Sequence, residues 1–334
     1  MDPLTQGLLG STLALAASDP NHARRAAAIG AVSGMLPDAD VLIHASNDPL
    51  LNVEFHRHFT HALAFAPLGA LAATLLLWLP LRRSMSSGRV YFFSLLGYVT
   101  GGILDACTSY GTHLLWPFSD ARFAWSIIAI VDPVFTLVLL VGVVAAVRAR
   151  RTLPARAGLA LACAYLLLGL AQHNAALERA QELAAARGHE VQRLVVKPTL
   201  ANLVLWRAVY LSGNDFHVDA IRLGPGPRRV YEGGSLPAFD LGRDRPDIDV
   251  GSVVADDIER FTRLADGFVV AAPGRVGVLS DIRYAMLPTG LESMWGIDLN
   301  VETESQHAAF VTYRDRPGDY QTRFLAMLLG RDVP

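Results

Sequence analysis

Hydrophobic positions are distributed unevenly along the chain, in long runs before about residue 173 and in short alternating runs after it. Long apolar runs are candidates for helices that cross a membrane. They cover residues 62–81, 90–107, 127–147 and 153–170, and two shorter apolar runs precede them at 3–17 and 23–36. The first half is therefore predicted to be an α-helical membrane bundle of about six helices, the first two of them short.

The second half shows the alternation of apolar and polar residues that is typical of strands. Residues 212–215, Ser-Gly-Asn-Asp, separate two of these runs with a hairpin signal. The strand-like runs are 191–197, 203–211, 216–223, 228–231, 267–272, 276–279, 283–287, 296–300 and 309–313, with short helices at 256–265 and 320–329. We predict a helical transmembrane domain over residues 1–172 and a soluble α+β domain with a mostly antiparallel sheet over residues 173–334.

Composition supports a membrane location and excludes several other classes. Of the 334 residues, 52% are hydrophobic and 18% are charged, which is too apolar for an ordinary soluble enzyme. The formal net charge of −2 gives no indication of a nucleic-acid partner. Cys107 and Cys163 lie inside apolar segments, so we predict neither a disulfide framework nor a cysteine-based zinc site. Membrane lipids are the expected surroundings.

Arginines predict the orientation of the helices. Nine of them fall in three loops that would lie on one side, at positions 24, 25, 82, 83, 89, 148, 150, 151 and 156. The opposite loops, 38–60 and 108–126, hold only Arg57 and Arg122. The positive-inside rule makes the first side cytoplasmic. The amino terminus and the second domain are then predicted to be extracytoplasmic, and the protein multi-pass.

Chemistry-bearing residues are concentrated at 54–61, Glu-Phe-His-Arg-His-Phe-Thr-His, just before an apolar run. Neutral imidazole is a common metal ligand, and His58 and His61 share a helix face if this stretch is helical. His56 can converge with His61 if the first residues form a turn. The alternative interpretation is three interfacial histidines solvated among lipid headgroups.

Acidic residues accompany this stretch at the same predicted outer ends of the helices. Asp38 and Asp40 follow Pro37, while Asp105 and Asp132 lie within or near apolar helices. A carboxylate at such a depth is costly unless it is paired, solvated or bound to a cation. The alternatives are that Asp105 caps a helix end and that Asp132 pairs with an arginine in the loop before it.

Four motifs together resemble a known family. They are Met-Asp-Pro-Leu-Thr-Gln at 1–6, Leu-Pro-Asp-Ala-Asp at 36–40, His-Arg-His-Phe-Thr-His at 56–61 and Leu-Asp-Ala-Cys-Thr-Ser-Tyr-Gly-Thr at 104–112. This set is similar to a bacterial inner-membrane family of metal-dependent hydrolases that includes the YdjM-like proteins. The resemblance implies a location in the inner membrane.

The resemblance also implies a set of site residues. Its metal ligands would be His56, His61, Asp38, Asp40 and Asp105. The family pattern usually has glycine where this chain has His58, so His58 is not expected to be an essential ligand. Some relatives carry a histidine where Gln6 stands.

A site of imidazoles and carboxylates suits a divalent metal, zinc first, with manganese or magnesium as alternatives. Glu54, Asp40 and Asp132 are all candidates for the general base, and Arg57 is a candidate for holding a phosphate group. The expected function is an integral membrane, metal-dependent hydrolase acting on a lipid or phosphoester at the extracytoplasmic face. The alternative is a non-enzymatic envelope protein with a structural metal site and a soluble domain that binds a ligand or partner.

Overall fold

A computed structural model describes residues 1–45, 47–303, 305–314 and 318–334. Internal contacts divide the chain into two compact units. The first unit contains residues 1–43, 55–171 and 200–202, and the second contains residues 44–54, 172–199 and 203–334. The boundary predicted at residues 172 and 173 stays a prediction, and the segment 44–54 groups with the carboxy-terminal unit.

The first unit is helical, as predicted. Asp2 caps its first helix by accepting a hydrogen bond from the backbone N–H of Thr5, and Asp132 caps a later helix through the backbone N–H groups of Val134 and Phe135. In chain order the helices up to residue 186 are α1 (Pro3–Ala16), α2 (Ala23–Met35), α3 (Leu51–Phe55), α4 (Ala66–Leu81), α5 (Ser87–Ala106), α6 (Pro133–Ala149) and α7 (Leu153–Ala186). All of α3 except Phe55, and α7 from residue 172 onward, belong to the second unit. The helix predicted from residue 127 begins only at Pro133, because Asp132 caps α6 at that point.

Two helical segments among the described residues are long and apolar enough to cross a membrane, Leu63–Leu81 and Leu153–Ala186. Pro133–Ala149 is a shorter apolar helix. The six-helix membrane bundle is therefore not confirmed. Helix α7 continues without a break to Ala186, beyond residue 170, where the predicted apolar run ends.

Glycines allow α1, α2 and α5 to approach closely. A Cβ atom on Gly10 of α1 would lie 2.3 Å from the carbonyl oxygen of Gly30 in α2, and a Cβ atom on Gly97 of α5 would lie 2.7 Å from that same oxygen. Such distances leave no room for a side chain, so the helices contact each other directly through their backbones. This packing fixes the helix ends that carry the polar residues of the first unit.

The second unit contains two four-stranded sheets in the described parts of the chain, and every pair of neighbouring strands is antiparallel. The antiparallel prediction is thereby confirmed. The first sheet is β1 (Arg193–Pro198), β2 (Leu205–Ser212), β3 (Asp215–Arg222) and β4 (Arg229–Pro237), and the second is β5 (Val269–Ala271), β6 (Val278–Asp281), β7 (Trp295–Asp298) and β8 (Ala309–Thr312). Helices α8 (Leu241–Asp244), α9 (Val253–Leu264) and α10 (Tyr320–Leu329) complete it.

Hydrophobic alternation accounts for most of these strands. The hairpin predicted at 212–215 joins β2 and β3, with Gly213 at φ +60°. The run 283–287, however, is not a strand: only Ala285 makes an isolated bridge, to Ser293. Burial explains that run better, because Arg283, Tyr284 and Leu287 are all buried.

Candidate metal centre

Two aspartates enter the centre from a short 3-10 turn that follows α2. The turn spans Leu36–Leu42 and has Pro37 in its first positions, which ends the α-helix and starts the tighter turn. Asp40 is 2% exposed, while the carboxylate of Asp38 remains partly accessible. The spacing of two residues thus gives one fully buried and one accessible carboxylate.

Asp40 organises the segment that carries the histidines. Its Oδ2 accepts hydrogen bonds from the backbone N–H of Arg57 at 2.8 Å and from Thr60 Oγ1 at 2.9 Å. Its Oδ1 lies 2.8 Å from His56 Nδ1. Arg57 has φ +65°, an uncommon conformation for a residue with a side chain, and the bond to Asp40 holds the backbone there. The segment therefore forms turns rather than the continuous helix that the sequence allowed.

Helix α5 brings the third carboxylate to the same place. Gly102 lies one turn before Asp105, and a Cβ atom on Gly102 would lie 2.2 Å from the carbonyl oxygen of His61. The hydroxyl of Tyr98, on the same helix, donates a hydrogen bond to the carbonyl oxygen of Thr60 at 2.8 Å. The absence of a side chain at Gly102 thus lets the turn Phe59–His61 lie directly against α5.

His61 is the central residue of the cluster. Its Nε2 lies 3.2 Å from Asp38 Oδ1 and 3.1 Å from Asp105 Oδ2. One ligand atom from each of these three residues lies within 4.8 Å of the others, which is compact enough for a single ion. His61 Nδ1 lies 3.3 Å from Asp40 Oδ2 on the other side of the ring. A carboxylate behind a ligating imidazole is the usual means of fixing its orientation.

The five residues predicted as ligands thus fall into two groups. Asp38, His61 and Asp105 converge, whereas Asp40 and His56 stand behind His61. The side chain of His56 is 40% exposed, so its imidazole is the most solvent-accessible ring of this group. The full five-ligand set stays a prediction, and the geometry favours the three converging residues for direct coordination.

The donor set fits a divalent cation. One imidazole nitrogen and two carboxylate oxygens are the ligands of many zinc, manganese and iron sites with open positions. Asp105 Oδ2 lies 3.1 Å from both Arg57 Nε and His61 Nε2, whereas the buried Gln6 Oε1 has no hydrogen-bond donor within the described chain. Gln6 Nε2 contacts Asp38 Oδ1 at 3.4 Å, so this amide borders the cluster. A buried oxygen without a donor calls for an explanation, and a cation bound beside Gln6 would supply one.

Electrostatics around His61 are strong. Burial alone would lower the pKa of His61, but its contacts with Asp105, Asp38 and Asp40 raise it to about 10. Burial would likewise raise the pKa of Asp40, and the hydrogen bonds from His56 and His61 lower it well below its usual range. The metal-free cluster therefore carries an imidazolium among ionised carboxylates. A metal ligand must be deprotonated, so a cation competes with the proton on His61 Nε2.

Arg57 is buried and turned toward Asp105. Its Nε lies 3.1 Å from Asp105 Oδ2, and its Nη1 donates a hydrogen bond to Thr108 Oγ1 at 2.9 Å. The guanidinium carbon lies 5.1 Å from the centre of the Tyr110 ring. Only 4% of the residue is exposed, so these contacts favour a role in holding Asp105 over the predicted capture of a phosphate group.

The other two residues predicted to be catalytic have partners elsewhere. Glu54 belongs to the second compact unit, where its carboxylate lies 2.7 Å from Nη2 of Arg260. Asp132 caps α6 with one oxygen and accepts a hydrogen bond from the Tyr165 hydroxyl with the other, at 2.8 Å. None of these partners is Asp38, His61 or Asp105, so these contacts give no support for the predicted catalytic role of either carboxylate.

Some residues of the centre were given no role by the sequence analysis. Thr60 and Thr108 hold Asp40 and Arg57, and Gly102 provides the space for His61. The signal for Gly102 was present in the pair Gly101-Gly102 just before the aspartate on α5. The role of Gly102 depends on the backbone segment that packs against it, and the periodicity of the sequence does not identify that segment.

Comparison with known proteins connects this centre to a family. The family model described as YdjM inner membrane protein matches residues 1–176, more than half of the chain and all of the residues of the centre. The chain is also 36% identical over 107 residues to the inner membrane protein YbcI of Escherichia coli (strain K12). That match covers 30% of this chain and 60% of the relative, which is less than two thirds of its length. No solved structure matches the chain.

Proposed function

Since the chain belongs to the YdjM inner membrane protein family, we propose that it is an integral, multi-pass membrane protein that hydrolyses an ester with the help of a divalent metal. The observation that carries this proposal is the convergence of Asp38, His61 and Asp105, whose ligand atoms lie within 4.8 Å of one another. Asp38 is the accessible member of the set, so a substrate would approach the cation from the side on which Asp38 lies.

Each residue of the cluster has a distinct task in this proposal. Asp38, His61 and Asp105 hold the cation, with zinc preferred and manganese or magnesium as alternatives. A divalent cation there supplies Lewis acidity for attack on an ester. Arg57 keeps Asp105 ionised and correctly placed, and Asp40 fixes the ring of His61.

Proton transfer is assigned to His56 together with Asp40. Asp40 Oδ1 binds Nδ1 of His56 at 2.8 Å, so the other ring nitrogen is left to accept a proton. The partial exposure of His56 allows exchange of that proton with solvent. Glu54 is paired with Arg260, and Asp132 caps helix α6. Asp40 with His56 is therefore the better candidate for the general base.

The substrate class and the side of the membrane follow from chemistry and charge. A site with two carboxylate ligands in a membrane protein suits the ester groups of lipids, with phosphoesters first among them. The asymmetric distribution of arginines supports a location of this site at the extracytoplasmic face of the inner membrane. The carboxy-terminal unit is then extracytoplasmic as well.

A specific observation favours a second candidate function. Arg57 and the protonated His61 both contact Asp105, so the carboxylates of the cluster are partly neutralised without any metal. Under this alternative, the protein is a non-enzymatic envelope component in which the cluster stabilises the fold. The soluble unit would then bind a ligand or partner.

Hydrolysis assays on the purified full-length protein in detergent distinguish the two candidates. The proposal expects release of product from phospholipids or small phosphoesters, loss of activity with a chelator, and recovery with added Zn²⁺ or Mn²⁺. His56→Gln should lower turnover while metal content is retained, because the proposed base is lost and the three ligands remain. A protein that binds no metal and hydrolyses none of these esters would favour the structural alternative.

A further inference from the structure

The chain contains a single lysine. Of its 29 lysine and arginine residues, 28 are arginines, and the exception is Lys197 on β1. The two residue types differ in their proton chemistry, because an arginine stays charged in proteins whereas a buried lysine readily loses its proton. Lys197 is half-buried, so its surroundings decide how much of the amine is charged.

Segment 282–288 packs over this lysine. Lys197 pairs in register with Arg207 of β2, and residues opposite each other on neighbouring strands project from the same face of the sheet. Arg207 donates hydrogen bonds to carbonyl oxygens at both ends of the segment, 2.7 and 2.8 Å away. The segment is thereby held against the sheet, and Nζ of Lys197 lies 3.0 Å from the centre of the Tyr284 ring.

The charges around Lys197 are mainly positive. Arg207 directs its hydrogen bonds to backbone carbonyl oxygens. Asp281 is the acidic neighbour, and Arg283 binds both of its oxygens, with Nε at 2.9 Å from Oδ1 and Nη2 at 2.7 Å from Oδ2. Among the described residues, no carboxylate forms an ion pair with Lys197. A positive charge on its amine would therefore lack a counterion.

The pKa of Lys197 is low for this reason. Burial, and after it the charge of Arg207, hold this pKa well below the ordinary value of 10.5; Asp281 opposes them, and Arg283 lowers the pKa further. The face of the Tyr284 ring attracts an ammonium ion, but it supplies neither a counterion nor an acceptor oxygen. Lys197 therefore carries a much larger fraction of the neutral, nucleophilic amine than an exposed lysine does.

We propose that Lys197 is a site of reversible carbamylation by carbon dioxide. The lone pair of the neutral Nζ attacks the carbon atom of CO2, and an N–C bond forms while one C=O π bond opens. Water takes up one proton from the nitrogen, and the product is a carbamate anion on the lysine side chain. The proposal does not depend on the hydrolase function, since Lys197 and these neighbours all belong to the second compact unit.

Charge and size favour CO2 over other electrophiles. A carbamate puts a negative charge beside Arg207 and Arg283, where a counterion is lacking. An aldehyde would instead form a Schiff base, which becomes cationic when it is protonated, and the same surroundings disfavour a cation. CO2 is also a small linear molecule, so it needs no open cleft to reach a half-buried amine. An arginine at this position could not react, because a guanidinium keeps its proton.

Carbon-13 NMR of the full-length protein in detergent tests the modification. The protein is equilibrated at neutral pH with bicarbonate labelled with carbon-13, and a carbamate resonance is expected. An ordinary lysine contributes little there, because fewer than roughly one in a thousand of its amines is uncharged at that pH. Lys197→Met should remove the resonance. It leaves the α-amino group of the chain in place, so a resonance that persists in this variant would overturn the assignment.

A matched control keeps one lysine in the chain and changes its surroundings. Arg193 lies on the same strand as Lys197 and is exposed. Lys197→Met combined with Arg193→Lys should show no carbamate resonance, because an exposed amine stays protonated at neutral pH. A resonance in the double variant equal to that of the parent would show that the surroundings of Lys197 do not matter, and it would overturn the proposal.

A chemical trap locates the modification in the unmutated protein, so the test does not require the variants to fold. A trialkyloxonium salt converts a carbamate into a stable ester, and peptide mass mapping should place that ester on Lys197. Bicarbonate should also raise the melting temperature of the parent, compared with chloride at equal ionic strength, and should not raise that of Lys197→Met. An unmodified Lys197 peptide from bicarbonate-saturated protein would refute carbamylation.

Discussion

Nε2 of His61 lies 3.1 Å from Oδ2 of Asp105, and both residues are almost completely excluded from solvent. The contact joins a short turn to the end of helix α5, and it exists because Gly102 lets the two backbones touch. Asp38 reaches the same imidazole nitrogen from a third element. The candidate metal centre is therefore a product of tight backbone packing.

Replacement of His61 should remove the metal. The substitution His61→Ala deletes an imidazole that contacts Asp38, Asp40 and Asp105, so we expect metal analysis of the purified protein to find little bound cation. His58→Ala is the matched control, because His58 packs among aromatic rings, including His113 and Trp116. Equal metal content in the His61→Ala protein and the parent would refute the centre.

The glycine on α5 provides a test that leaves every ligand in place. Gly102→Ala would put a Cβ atom 2.2 Å from the carbonyl oxygen of His61, so the turn or the helix must shift. Such overpacking costs about 1–3 kcal/mol, and we expect a lower melting temperature together with weaker metal binding.

Gly88→Ala is the control for that substitution on the same helix. Apart from its chain neighbours and the backbone of its own helix, the described chain has no atom within 4 Å of a Cβ at Gly88, so alanine there should leave both stability and metal affinity unchanged or slightly improved. If the two alanine variants behave alike, the close contact between Gly102 and His61 does not determine the site.

Metal affinity should rise with pH. The pKa of His61 in the metal-free protein is about 10, above its ordinary value of 6.5, so at neutral pH a cation must displace a proton. Apparent affinity should therefore increase by up to about tenfold per pH unit between roughly pH 6.5 and 10. Titration with Zn²⁺ or Mn²⁺ at several pH values measures this slope, and a flat profile would exclude His61 as a ligand.

The same shift predicts how stability of the metal-free protein depends on pH. A pKa raised in the folded state means that the contribution of His61 to stability is complete below about pH 6.5 and is lost as the pH rises through about 10. Thermal melting of chelator-treated protein should show this loss, and His61→Gln should remove that part of the pH dependence. An identical pH profile in both proteins would contradict it.

Reporter fusions test the orientation in the membrane. Fusions at Ser86 and Arg150 should report the cytoplasm, and fusions at Ala45, at Asp120 and after Gly330 the extracytoplasmic side, because nine arginines lie in the first set of loops and two in the second. A cytoplasmic signal after Gly330 would contradict the proposed location of both the second unit and the metal centre.

Local patterns in the sequence determined much of the fold. Alternation of apolar and polar residues predicted the antiparallel strands and the 212–215 hairpin, because every second residue of a strand with one buried face must be apolar. The two short amino-terminal helices were also predicted locally, from the apolar runs at 3–17 and 23–36. Membrane crossing was only partly predictable, since apolar length does not distinguish a span from a helix that packs inside a bundle.

The tertiary structure alone decided which polar residues meet. Residue type alone does not distinguish Asp38, Asp40, Asp105, Asp132 and Glu54, because all five carry a carboxylate. Packing selects Asp38 and Asp105 for His61, gives Asp40 the opposite side of its ring, and leaves Glu54 with Arg260 and Asp132 at a helix end. The physical reason is that contacts between distant segments depend on how closely backbones approach, as at Gly102, and residue spacing along the chain does not encode that distance.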